Sequence, residues 1–121
     1  MDCFDKELEQ RVLKILHSTH QKNLRVCNES LRTYLDVLEK HLTFPMKGTY
    51  EQEIGPLETT RCPITILKLH DTVDEFYGIL IKGIVAGKND IIPLAEFNCN
   101  TTNQRNFRLI EEYKTWFWNY R

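Results

Sequence analysis

The stretch YGILIKGIVAGKNDIIPLAE, residues 77–96, decides the fold class. Residues with β-preferring side chains crowd both sides of Ala86-Gly87-Lys88-Asn89-Asp90, and Gly and Asn tolerate the positive φ that tight hairpin turns demand. The stretch therefore reads as strand, turn, strand, near Tyr77 to Val85 and near Asp90 to Glu96. Pro93 has no N–H to give a ladder, so the second strand is expected at an edge or to be short. Upstream, Gly and Pro punctuate the chain every ten or so residues, and two more strands are expected near Met46 to Glu53 and Pro63 to Leu69.

Outward from the strands the apolar period changes from two to three and four. Phe4, Leu8, Val12, Ile15 and Leu16 share one helical stripe, and Leu24, Cys27, Leu31, Leu35, Leu38 and Leu42 share another. Joined through Ser18 to Asn23, they predict an N-terminal helical hairpin, which Phe44-Pro45 brings to an end. At the other terminus Thr101 and Gln104 have capping-box spacing. The helix expected after them carries Leu109, Tyr113, Trp116, Phe117 and Tyr120 on one buried face and leaves Trp118 and Asn119 off it. The fold class is α+β: a helical hairpin over 1–43, an antiparallel sheet of about four to five strands, and a C-terminal helix. At 121 residues one domain is expected over 1–121.

Charge narrows the function. Sixteen Lys and Arg against 17 Asp and Glu give a net charge of -1, which supplies no broad basic field for nucleic acid. No apolar run approaches the ~20 residues that span a bilayer. The acidic start Met1-Asp2-Cys3-Phe4-Asp5 is unlike a secretion signal. Cys3, Cys27, Cys62 and Cys99 form no CxxC pair, so reduced thiols and a cytoplasmic location are expected. His17 and His20 sit three apart, but a structural zinc site needs four ligands at recognised spacings. No Ser, Cys or Lys has a nucleophile's setting, so neither catalytic nor cofactor-binding residues are expected and the protein reads as non-enzymatic.

From about Leu42 onward the order of landmarks resembles the CcbP-type calcium-binding family of cyanobacteria. The landmarks are Phe44-Pro45, Tyr50-Glu51-Gln52-Glu53-Ile54-Gly55-Pro56, Tyr77-Gly78, Pro93-Leu94-Ala95-Glu96, and Leu109-Ile110-Glu111-Glu112-Tyr113-Lys114-Thr115-Trp116-Phe117. The resemblance implies a small calcium-binding or calcium-buffering protein that offers surface carboxylates rather than an EF-hand loop, on a barrel-like sheet. The family's calcium binding goes with a strongly acidic surface, and this chain is close to neutral.

Calcium takes six to eight oxygen ligands, so acidic residues must meet where backbone is open. The acidic excess lies in 44–97, with eight acids against five bases. There Asp71, Asp74 and Glu75 crowd one connection between strands. Glu51 and Glu53, at i and i+2, project from one face of a strand. These five are the expected metal ligands, for low-affinity calcium, with Glu58, Asp90 and Glu96 as further candidates. The alternative is a non-catalytic interaction module that has lost the metal and uses the N-terminal helices to dimerise or to hold a protein partner. Arg105, Arg108, Lys114 and Arg121 are expected on a basic outer helix face.

Overall fold

The computed structural model describes residues 10–12, 14, 25–100 and 103–120, with 52–54 through their backbone alone. Its order is helix α1 (Asn28–His41), strands β1 (Met46–Gly55), β2 (Glu58–Asp74), β3 (Gly78–Val85) and β4 (Lys88–Pro93), a 3-10 turn (Leu94–Glu96), strand β5 (Phe97–Cys99) and helix α2 (Gln104–Asn119). Residues 10–12 and 14 are also helical.

The helical periodicities become buried faces. Leu31, Tyr34, Leu35 and Leu38 of α1 face the core, and α1 packs on β2 and β3. Ser30 Oγ accepts the Cys27 N–H at 2.9 Å, which satisfies one backbone donor where the helix begins. Helix α2 buries Ile110, Tyr113, Trp116 and Phe117. Tyr34 stacks on Trp116 with ring centroids 4.8 Å apart and meets Tyr113 edge-on at 5.3 Å, so the two helices join through aromatic contacts. The helix before Ser18 and its connection to α1 lie outside the described residues except at 10–12 and 14, as does Leu24. Of that segment, Val12 is buried, and Arg11 Nε lies 2.7 Å from Glu112 Oε1 of α2.

The sheet is antiparallel, in the order β4-β3-β2-β1-β5. Pairing of Met46 with Ile66, Gly48 with Ile64 and Tyr50 with Cys62 puts those residues on the inner face and Lys47, Thr49 and Glu51 on the outer one. Register shifts in β2 between Ile66 and Lys68, and again between Leu69 and Val73, change the phase. Leu69 rather than Lys68 therefore continues the buried row. The expected hairpin turn is present, with Ala86 and Gly87 at φ 52 and 78, the two positive values of a type I′ turn.

Three expectations are corrected. The run read as one strand from Asp90 to Glu96 is a strand only to Pro93, where β4 ends and the 3-10 turn begins, and an unexpected strand β5 starts at Phe97 on the opposite edge, beside β1. The C-terminal helix is capped by Asn103, whose side chain accepts the Asn106 N–H at 3.1 Å, rather than by Thr101 with Gln104; Thr101 and Thr102 lie outside the described residues.

The third correction concerns the barrel: the sheet is open, and β4 and β5 share no ladder among the described residues. It is nonetheless strongly curled. A flat sheet would hold β4 and β5 four spacings apart, ~19 Å, whereas the steps from Pro93 to Phe97 reach at most ~14 Å. Pro93, without an N–H, and the buried Leu94 and Ala95 occupy the corner where closure would need a ladder.

Candidate metal-binding carboxylates

The β2–β3 connection holds the denser acidic group. Between Leu69 and Val73 three residues of β2 stand against Leu80 alone on β3, and Asp71 is the middle one. The bulge is pinned locally: His70 Nδ1 accepts the Thr72 N–H at 3.1 Å. Asp71 is exposed.

Asp74 pairs with Gly78 at the mouth of the turn. Its Oδ1 accepts the Phe76 N–H at 2.7 Å and the Tyr77 N–H at 2.9 Å, so the carboxylate builds the turn that carries it. A carboxylate has about four acceptor positions, and Oδ2 keeps its own. Glu75 is exposed, with Oε2 3.4 Å from the Asn28 N–H at the start of α1. A helix N-terminus favours that negative charge.

Glu51 and Glu53 lie elsewhere. In the β1–β2 ladder Glu51 stands opposite Arg61 and Glu53 opposite Thr59. Asp71 lies ten residues from Arg61 along β2, a separation of ~33 Å if the strand ran straight. The two acidic groups belong to opposite ends of the sheet and cannot share an ion. A cation beside Glu51 would also meet the Arg61 charge across the ladder.

Of the further candidates, Glu58 stands opposite Gly55 near the Glu51 end, and Asp90 Oδ1 accepts the Ile91 N–H at 2.8 Å on edge strand β4. Glu96 is the one that tertiary structure relocates. It lines a groove with Phe76, Tyr77, Pro93 and Trp118, which sets it beside the β2–β3 turn although 20 residues separate it from Phe76. The only sequence signal for that placement was Pro93, which ends β4 and sends the chain around the corner. Among the described residues no three His, Cys, Asp or Glu side chains converge within reach of one metal ion.

No protein-family model matches the sequence, and no curated protein does so. The backbone, however, matches the crystal structure of Anabaena CcbP with a TM-score of 0.72, over 92% of this chain and 89% of that one. The fold is that of CcbP. Sequence identity to CcbP is 13%. The CcbP fold is met again in a structure described as a calcium binding protein in the calcium-binding form, with a TM-score of 0.71 at 12% identity, over 96% of this chain and 94% of that one. The likeness to CcbP thus reaches further than the landmarks after Leu42. At such identity it is a likeness of backbone, and the ligating chemistry has to be argued from this chain's own residues.

Proposed function

We propose that this protein binds calcium weakly on the β2–β3 hairpin, through Asp71, Asp74 and Glu75. The observation that carries the reading is the match of nearly the whole backbone to a protein solved in a calcium-binding form. The hairpin suits the chemistry, because its carboxylates offer oxygens, as a hard cation prefers, and Glu96 lines the groove beside the same turn. The ion itself must gather carboxylates that are otherwise spread and solvated. That ordering cost places affinity at the weak end of the known range, ~10⁻³ M. Glu51 and Glu53 are taken as a second, weaker place, beside Arg61 and Thr59 of the ladder. The role is binding or buffering rather than catalysis.

Calorimetric titration tests this, with magnesium as the comparison. Calcium is expected to bind with heat that Asp71→Asn with Glu75→Gln abolishes. Asp74→Asn, which keeps the Oδ1 acceptor of the turn, should weaken binding without unfolding the hairpin. Absence of calcium-specific heat at millimolar concentrations ends the reading.

A second reading gives the scaffold a protein partner. The stripe of α1 that suggested dimerisation is covered by the protein's own sheet and α2. What favours a partner instead is the exposure of Phe76, Tyr77 and Trp118, at 65%, 52% and 53%, around the groove with Glu96. Light scattering distinguishes a dimer from a monomer.

A further inference from the structure

The basic helix face expected from Arg105 and Arg108 is one wall of a cleft of about 760 Å³. Arg11 and Lys14 come from the N-terminal helical segment, His41 from the last residue of α1, and Arg105, Arg108 and Glu112 from successive turns of α2. Among the described residues, four cations against one carboxylate leave the wall at +3 with His41 neutral, in a chain whose net charge is -1. The one carboxylate is engaged: Glu112 Oε1 lies 2.7 Å from Arg11 Nε and 3.5 Å from Arg108 Nε, and its side chain is 9% exposed. Arg108 remains 72% exposed, and Arg105 Nη2 lies 2.6 Å from His41 Nδ1.

A second observation concerns the start of α2. The first turn of a helix carries about half a positive charge and is normally complemented by Asp or Glu. Helix α2 has no acidic residue there, and its second residue is Arg105, so like charges are concentrated at the mouth of the cleft. An anion would relieve that repulsion and use the N-terminus as anions commonly do. The cleft also has an apolar side, Val37 and Leu109, and its volume falls in the range of small-molecule sites. Single-stranded nucleic acid would need aromatic faces for its bases, and among the described residues no Phe, Tyr or Trp lines the cleft, the exposed Phe107 and Trp118 of α2 included.

We infer that this cleft binds a small organic phosphate, with phosphate oxygens between Lys14, Arg105 and Arg108 and the organic part against Val37 and Leu109. The inference is independent of calcium, and its test is run with EDTA present. ADP is the probe, with adenosine and a ten-residue oligothymidine as comparisons, followed by calorimetry and by the histidine ring signals in NMR.

ADP is expected to bind at least about 10-fold tighter than adenosine, and to lose several-fold in affinity when salt rises from about 50 to 200 mM. It should shift the ring signals of His41 and leave those of His70 in place. Arg105→Gln with Arg108→Gln should weaken ADP about 10-fold or more, and Lys88→Gln, at the start of β4, should change nothing. Both arginines are exposed, so the double variant is expected to fold; the His41 shift in the unaltered protein decides the matter if it does not. No ADP binding at about 5 mM, unchanged binding in a folded double variant, or an unmoved His41 would overturn the assignment. Tighter binding of oligothymidine than of ADP would overturn it in favour of nucleic acid.

Discussion

Tyr113 and Tyr34 stand side by side in the core and differ in how their hydroxyls are served. Tyr113 Oη accepts the Ile79 N–H at 2.8 Å, a bond between α2 and β3 that is buried at both ends. Gly78, the residue before it, has φ +79, and a side chain there would run into the Tyr113 hydroxyl and the Phe117 ring. Tyr113→Phe leaves a buried backbone donor unsatisfied and should cost about 1–3 kcal/mol in urea denaturation. Tyr34 Oη is buried with no hydrogen-bond partner among the described residues. Tyr34→Phe removes that desolvated group and should stabilise the protein by about 1 kcal/mol.

The pH dependence of Tyr34 has a definite sign. Burial, with Glu112 nearby, pushes its ionisation well above the usual tyrosine range. An unfolded tyrosine loses its proton near pH ~10, while the folded Tyr34 keeps it. Above that pH the unfolded state binds fewer protons, and stability falls as pH rises, at up to ~1.4 kcal/mol per unit. Below it Tyr34 is neutral in both states and contributes no slope. Denaturation followed from pH 8 to 11 should show the loss in the unaltered protein and a shallower one in Tyr34→Phe.

At the scale of elements, the β3–β4 turn is under local strain that can be relieved. Ala86 holds φ 52, a region an alanine side chain disfavours. Ala86→Asn would make the Asn-Gly pair preferred in type I′ turns and should raise stability by about 0.5–1 kcal/mol, measurable as a higher denaturation midpoint at unchanged slope. Asn106 shows what element-level reading missed. Its amide Nδ2 donates to Thr43 O at 2.8 Å, and its Oδ1 accepts the Thr43 N–H at 3.0 Å, tying α2 to the segment after α1 across 63 residues. Lys114, read as part of a basic outer face, instead donates to Phe97 O at 3.0 Å and to Asn98 Oδ1 at 3.1 Å, clamping α2 to β5. Neither role has a periodic signature, because each depends on a loop residue brought close by the fold.

The same division governs how far the elements were legible. The stripes of α1 and α2 and the Ala86-Gly87 turn were readable because helix pitch and turn dihedrals are local properties of a few residues. The full length of β2 was not. Its first four residues, Glu58–Arg61, are exposed throughout and show no alternation, and strand pairing with β1 is what makes them strand. The run from Asp90 to Glu96 looked continuous because Ile91, Ile92, Leu94 and Ala95 carry its apolar character across Pro93 into the 3-10 turn. The corner after Pro93, which carries the chain to β5 on the other edge, has no local signature.

At the scale of the whole molecule, the proposed calcium binding would be linked to stability through mass action. A ligand at a hundred times its dissociation constant stabilises by about 2.7 kcal/mol, which raises the melting midpoint of a chain this size by several degrees. Calcium is expected to do so at concentrations where magnesium does less, and equal shifts with both ions would count as general screening of the acidic strand region. No helix among the described residues is long and apolar enough to cross a membrane.

The sequence by itself determined the α+β class, the buried faces of α1 and α2, the edge position of the strand that ends at Pro93 and the near balance of charge, since all of these follow from composition and short-range spacing. Tertiary structure alone decided which charges meet. It set Glu51 and Glu53 at the far end of β2 from Asp71, brought Glu96 beside the Phe76 turn, and drew Arg11 and Lys14 to Arg105 and Arg108 from the other end of the chain. The physical reason is that a side chain's face is set by local geometry, whereas its neighbours across the molecule are set by strand register, bulges and sheet curl, which no local pattern encodes.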